Sequence, residues 1–458
     1  MATLSISRDE IEAALRGHNA DYIEVRIEEL GGTRIAYRGR ELDDLGATAS
    51  YGGCARALVK GGWGFVSFND LSNLRGRVEL AVEQARLVGN SESILAPVAP
   101  VVAITEPYLR KDPRNVPLSE KKGLADTYND IVLSTNDVKS SNLYLGDSHR
   151  RTIFASSEGS YIDQTRVEVT FRLLAIAGKD GDVQQSGFSI GRLGDFSFIE
   201  GLHEQVADAA RRAGETLAAP PVKGGEYPVV LDPILAGVFC HEAFGHLSES
   251  DFVYENPKMQ EVMVMGRRFG QPILNIVDGA AIPGLRGSFA YDDEGTPAHR
   301  TDLIKEGVLV GRLHSRETAG KMGEQATGNA RALDYRFPPI VRMTNTIIES
   351  GDTSFDDMIS DIKEGVYVRN WYGGQTSMEM FTFSAGEAFM IRNGRIEELL
   401  RPVVLTGNVF QTLMNLDAVG NDMDINQGGG CGKGGQMPLP VSNGSPHIRI
   451  SKCLVGGR

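Results

Sequence analysis

Between residues 94 and 118 the chain carries Pro97, Pro100, Pro107, Pro113 and Pro117. Each proline fixes its own φ, removes a backbone donor and pushes the preceding residue out of the helical region, so regular structure is not expected in this span. The stretch reads as a proline-rich linker over 96–118. It separates an N-terminal α/β domain over 1–95 from a middle α+β region over 119–221, which ends at Pro220-Pro221. A third region then runs from 224 to 458, and 458 residues are enough for two or three domains with a large core.

Periodicity assigns elements to each part. Ile11, Ala14 and Leu15 recur at helical spacing within residues 8–15. Residues 22–28 and 33–38 alternate apolar and charged around Gly31-Gly32, which reads as a hairpin with its turn at the glycines, followed by strands over 55–59 and 64–68 and a helix over 74–88. In the middle region Ser119 is placed to cap a helix running to about residue 133. Strands are expected over 141–145, 152–156, 161–164 and 166–177, and a second helix over 198–218. The last region opens with a strand over 227–231, then Asp232 as N-cap and Pro233 in the first turn of a helix. Beyond it, strands over 273–278, 287–292, 366–372, 379–384, 387–392, 394–400, 402–407 and 448–455, with a hairpin over 303–310, are punctuated by many of the chain's 54 glycines. The expected fold class is α+β: an N-terminal α/β region with an antiparallel sheet, and a C-terminal glycine-rich, mostly antiparallel β domain carrying a metal-site helix.

The formal net charge of -13 leaves no excess of cations for a phosphate backbone or an anionic bilayer, so neither nucleic acid nor membrane is an expected partner. The first ten residues lack a basic segment followed by an apolar one, and the apolar stretch 94–104 is too short to span a bilayer, so a cytoplasmic location is expected. Four widely spaced cysteines, Cys54, Cys240, Cys431 and Cys453, then read as buried thiols or metal ligands.

Chemistry concentrates in His241-Glu242-Ala243-Phe244-Gly245-His246, two imidazoles and a carboxylate within six residues. On a regular helix, residues i and i+4 turn about 400° and share a face, whereas i and i+5 lie about 140° apart. His241 and His246 can face one ion only if the helix widens by one residue or ends near Gly245, so an irregularity is expected between Glu242 and His246. A third ligand is needed, and Cys431 is the best candidate, a single thiol in the glycine-rich stretch 427–436 with Lys433 nearby. Cys240 points elsewhere on the helix, and Cys453, in a terminal strand, reads as buried. Glu249 and Asp251 are candidates to orient the imidazoles, and His314, Arg331 and Tyr335 to assist at the substrate carbonyl. Asp292-Asp293-Glu294 reads as a solvated turn, and His299 as structural or substrate-facing.

These motifs, with Tyr291-Asp292-Asp293-Glu294-Gly295-Thr296-Pro297 and Cys431-Gly432-Lys433-Gly434-Gly435-Gln436, resemble in this order the TldD branch of the TldD/PmbA family of zinc metallopeptidases. The PmbA (TldE) branch lacks the metal motif, which this chain retains. The resemblance implies Zn2+ held by His241, His246 and Cys431, with Glu242 as general base acting on a metal-activated water. The implied activity is hydrolysis of short or unfolded peptides by a homodimer or a heterodimer with a PmbA/TldE-type subunit. Family members often have glycine after the second histidine, where this chain has Leu247. The same site would suit a zinc amidase acting on modified small peptides, and a fourth protein ligand, from Cys240 or Cys453, would instead mark a non-catalytic peptide-binding subunit with a structural zinc.

Overall fold

A computed structural model describes residues 6–89, 93–377, 379–426 and 428–457. Its first half is built on one large sheet. The strands Gly62–Phe68, Glu41–Val59, Tyr22–Arg38, Val138–Ser156 and Tyr161–Lys179 lie side by side, each antiparallel to the next, with Asp182–Leu193 antiparallel and Val102–Thr105 parallel to the last of them. Helices Arg8–Leu15 and Leu74–Val88 bury one end of this sheet around Ile23, Val25, Ile27 and Ala57. Helices Leu118–Leu133 and His203–Ala218 bury the other end around Ile35, Tyr37, Phe171 and Leu173. The odd-numbered residues of Tyr22–Arg38 thus meet helices, because side chains alternate faces along a strand. The even-numbered Glu24, Arg26 and Glu28 are buried on the opposite face.

That opposite face is charged because it docks on the C-terminal half through ion pairs. Arg56 binds Glu24 and Glu294 at 2.7 and 3.2 Å, and Arg150 binds Glu28 and Asp293 at 2.6 and 3.0 Å. The Asp292-Asp293-Glu294 turn is therefore buried, not solvated. Asp292 accepts from the backbone N–H groups of Glu294, Thr296 and Ala330, and Asp293 from that of Ala332, so the acids organise the turn and pair with arginines across the contact. His299 is exposed beside it.

The C-terminal half holds a closed ring of strands, Gly225–Leu231, Ile448–Gly457, Val403–Asn408, Met380–Arg392 and Glu364–Ser377, the last pairing back on the first. A second, six-stranded sheet runs Val308–Leu309, Arg300–Lys305, Ile276–Gly279, Asn345–Ile348, Ser442–Ser445 and Asp424–Asn426. Most of these pairings are antiparallel, and the fold is of the α+β class. The helix Pro233–Cys240 leaves the end of Gly225–Leu231 and packs Phe239 edge-on against Phe381 and Phe383 of the ring.

Several expectations are corrected. Gly31 and Gly32 lie inside one continuous strand, and the hairpin turns at residues 39–40. The glycines are needed for close approach: a Cβ at Gly31 would sit 2.3 Å from the His149 ring, and one at Gly32 2.1 Å from the Asp147 carbonyl. The proline-rich span contains the strand Val102–Thr105, a proline-free stretch between Pro100 and Pro107 that pairs at a sheet edge. Pro117, not Ser119, precedes the third helix, which has no side-chain cap. Residues 287–292 form no strand; the N–H groups of Ser288, Phe289 and Tyr291 are taken by the Leu285 and Ala280 carbonyls and the Gln164 side chain, and only that of Asp292 by the acidic turn. The separate segments expected over 141–156, 161–177 and 379–392 are three long uninterrupted strands.

Candidate metal centre

Asp232 accepts the Leu235 N–H at 2.8 Å, and Pro233 stands at the first helical position, so the helix begins as its sequence requires. It continues to Cys240, whose thiol is packed in the apolar core and pushed up by burial. At His241 the helix widens into a π turn over residues 241–245, in which the His246 N–H donates to the His241 carbonyl five residues back. A tight turn over 246–248 follows. The irregularity expected between Glu242 and His246 is this turn. It needs glycine at 245, where a Cβ would lie 2.0 Å from Met343 Sδ. Leu247 is accommodated by burial in the core.

The wide turn brings both imidazoles to one place, their ring centroids 5.1 Å apart and their planes at 81°. Cys431 arrives from the other side, Sγ 3.6 Å from His246 Nε2, and the candidate ligand atoms of His241, His246 and Cys431 all lie within 4.8 Å of one another. Among the described residues this is the one cluster of histidine, cysteine and acidic groups suited to a metal. Cys431 is carried by a short hairpin, Gly430–Lys433 paired with Gln436–Pro440 and turning at Gly434-Gly435. The glycine-rich segment is thus a structured ribbon; Gln427 lies outside the described residues.

The donor set fits a metal. Two corners of a zinc tetrahedron with sulfur and nitrogen bonds of about 2.3 and 2.0 Å are roughly 3.5 Å apart, close to the observed sulfur–nitrogen separation. His241 Nδ1 is buried with no hydrogen-bond partner, an arrangement that is costly for an imidazole nitrogen unless something accepts its lone pair or proton. Burial pushes the Cys431 thiol up, but His241 and His246 outweigh it and bring the thiol down to about 4, favouring the thiolate that binds metals. Burial opposes charge on His246 as well, and Glu249 and Cys431 outweigh it, raising the imidazole well above its usual value.

Around this trio the other expected residues divide. Glu242 Oε2 lies 4.0 Å from His246 Nε2, and both side chains are partly exposed, 28% and 27%, so the site opens to solvent on this side while His241 and Cys431 are buried. Glu249, fully buried, accepts from His246 Nδ1 at 3.0 Å, which directs Nε2 toward Cys431. Burial would push Glu249 up, but Lys433 and His246 hold it at about 2. Asp251 meets Lys433 Nζ at 2.5 Å rather than an imidazole. His314, Arg331 and Tyr335 are not gathered with the trio. His314 is engaged by Ser250, Thr318 and Glu324, Arg331 donates to the Met343 and Pro440 carbonyls, and the Tyr335 hydroxyl accepts from Asn69. Arg342, absent from the sequence reading, is wholly buried and donates to the Cys431 carbonyl at 2.7 Å. Nothing in its local sequence distinguishes it from other arginines. Lys433 stands two residues from Cys431 on the same ribbon strand, but the pairing register shifts between them, so simple strand alternation does not predict its place.

Residues 23–86, 111–217 and 224–457 match the profiles for domain 1, the central domain and the C-terminal domain of the PmbA/TldA metallopeptidases. The chain is 48% identical over 459 residues to a metalloprotease of Synechocystis sp., covering 100% of this chain and 99% of that one. It is 34% identical over 308 residues to a zinc metalloprotease TldD homolog of Saccharolobus solfataricus, covering 66% and 68% of the two chains. The fold superposes on the crystal structure of TldE from Thermococcus kodakarensis with a TM-score of 0.74 at 17% identity, covering 96% and 97%. With profiles matched along most of its length and relatives named for proteolysis, the chain belongs to the TldD/PmbA family of metalloproteases.

Proposed function

We propose that the chain is a TldD-type zinc peptidase that hydrolyses peptide bonds in short or unfolded peptides. The observation that carries this reading is that Cys431, on its own ribbon, meets His241 and His246, brought together by the π turn, with Glu242 beside them on the solvent side. Two imidazoles and a thiolate are a zinc-type donor set, and no fourth protein donor joins the cluster among the described residues. Cys453 is held in the terminal strand with its thiol pushed up to about 12 by burial, which favours an open, catalytic coordination position over a structural one. A zinc ion in this site supplies a Lewis acid for the scissile carbonyl and acidifies water.

The remaining chemistry belongs to the chain. Glu242, of the His-Glu-x-x-x-His pattern, takes the proton of the attacking water on its carboxylate and returns it to the nitrogen of the leaving amine. Glu249 holds His246 with its proton on Nδ1, leaving Nε2 free to ligate. The site works in a dimer, either of this chain or with a PmbA/TldE-type subunit; the shared fold with TldE supports that pairing. Cleavage of unfolded polypeptide by the purified chain, with and without zinc, tests the activity. Glu242→Ala is expected to keep zinc and lose cleavage, and a fully active variant would overturn the assignment.

A further inference from the structure

The third ligand reaches the site on a two-stranded ribbon whose strands pair only with each other. Such hairpins are marginal on their own, so what fixes the position of Cys431 lies outside the ribbon's backbone ladder. At its base, Arg342 donates to the Cys431 and Gln436 carbonyls at 2.7 and 3.2 Å, and the Gln436 side chain exchanges bonds with the Leu333 N–H and the Pro338 carbonyl. These contacts hold the ribbon's backbone. They do not join it to the turn that carries the imidazoles.

Besides the Cys431 thiol itself, one side chain does among the described residues. Lys433 Nζ lies 3.1 Å from Glu249 Oε2, 2.5 Å from Asp251 Oδ1 and 2.9 Å from the Val341 carbonyl, so all three ammonium donors are used. Glu249 Oε2 also takes the His246 Nδ1 bond, while His246 Nε2 faces Cys431 Sγ. The links form a closed loop: ribbon, Lys433, Glu249, His246, Cys431 and back to the ribbon. Without the ammonium, a carboxylate only 1% exposed would keep one partner, and the ribbon tip would have no polar bond to the histidine segment.

We propose that Lys433 is a positioning residue of the metal centre, holding Cys431 and His246 at ligand separation by clamping the ribbon to Glu249 and Asp251. The proposal rests on the reading of His246 and Cys431 as metal ligands. Lys433→Met keeps most of the apolar stem and removes the charge, and the Arg342 and Gln436 contacts leave the ribbon folded. Zinc affinity, measured by chelator competition on the full chain, is expected to fall by roughly 10–100-fold. Lys433→Arg is expected to recover most of it. In cobalt-loaded protein the thiolate-to-metal charge-transfer band should weaken in Lys433→Met and return in Lys433→Arg, which a merely stabilising contact would not produce. Combined with Glu249→Gln, Lys433→Met should add little further loss, because the two act through one link. Unchanged zinc affinity in Lys433→Met, or fully additive losses, overturns the proposal. Should Lys433→Met fail to fold, Lys433→Gln is measured in the same way against the same criterion. The underlying site is judged separately: if His246→Ala retains zinc, the ligand reading fails, whereas loss of zinc there with no change in Lys433→Met refutes only the clamp.

Discussion

At the scale of single residues, Glu242 and the trio beside it have separable duties in the proposed function, and substitution should separate them. Glu242 stands 4.0 Å from His246 Nε2 and is outside the gathered trio, so Glu242→Gln should bind zinc as the parent does while peptide hydrolysis falls by roughly 100–10,000-fold, the usual contribution of a positioned general base. Elemental analysis and a cleavage assay on one preparation decide the matter; a variant that loses zinc as well would make Glu242 a ligand. Cys431→Ala and His246→Ala should do the reverse and empty the site, with activity lost as a consequence. If Cys431→Ala holds one equivalent of zinc after dialysis against a chelator, the downstream ribbon is not part of the centre. Among these residues, His241, Glu242 and His246 were legible because six consecutive positions carry the pattern. Arg342 was not, because its role is to hold a carbonyl 89 residues away, and no local spacing encodes such a contact.

The element that matters most is the helix Pro233–Cys240 with its π extension. Its N-cap carries a cost. Burial pushes Asp232 up to about 6, against the lowering effect of the Leu235 and Asn370 N–H groups. A carboxyl whose folded value is raised contributes stability that is fully present below its unfolded value and is lost as pH rises through the folded one. Between about pH 4 and pH 7 the parent should therefore lose on the order of 3 kcal/mol relative to Asp232→Asn, which caps equally well and never ionises. Urea unfolding of both proteins across that range measures the difference, and a difference independent of pH would refute it. The Asp232-Pro233 start and the i,i+5 spacing made this element readable from sequence, since both are local. The long strands were readable only in pieces. Gly31-Gly32 has turn composition, and only the His149 ring and the Asp147 carbonyl packed over it explain why the strand runs through. Likewise the acidic run at 292–294 has surface composition, and its arginine partners at 56 and 150 lie far away in the chain.

For the whole molecule the question is whether the large sheet and the strand ring fold as one unit. The contact between them is a set of buried ion pairs, with Arg56 at its centre: its guanidinium binds Glu24 within the sheet and Glu294 across the contact, and stacks 4.2 Å from the Trp63 ring. Pairs of this kind add little net stability when complete, but removing one partner leaves buried charge unpaired and costs about 3–5 kcal/mol. Arg56→Met would leave two buried carboxylates, Glu24 and Glu294, facing each other without their shared cation. The chain's two tryptophans report on different places, Trp63 in the strand Gly62–Phe68, where its indole N–H donates to Glu317 across the contact at 3.1 Å, and Trp371 in the ring strand Glu364–Ser377. In Trp371→Phe and Trp63→Phe proteins, fluorescence during denaturant unfolding should give the same midpoint, because the ion-paired contact couples the halves. Adding Arg56→Met should separate them, with Trp63 released at lower denaturant and Trp371 little changed, and Glu294→Gln in the same chain should recover part of the loss by removing one orphaned charge. Midpoints that already differ in the parent would show that the halves unfold independently; midpoints that stay together in Arg56→Met would show that the coupling lies in apolar packing and not in this arginine.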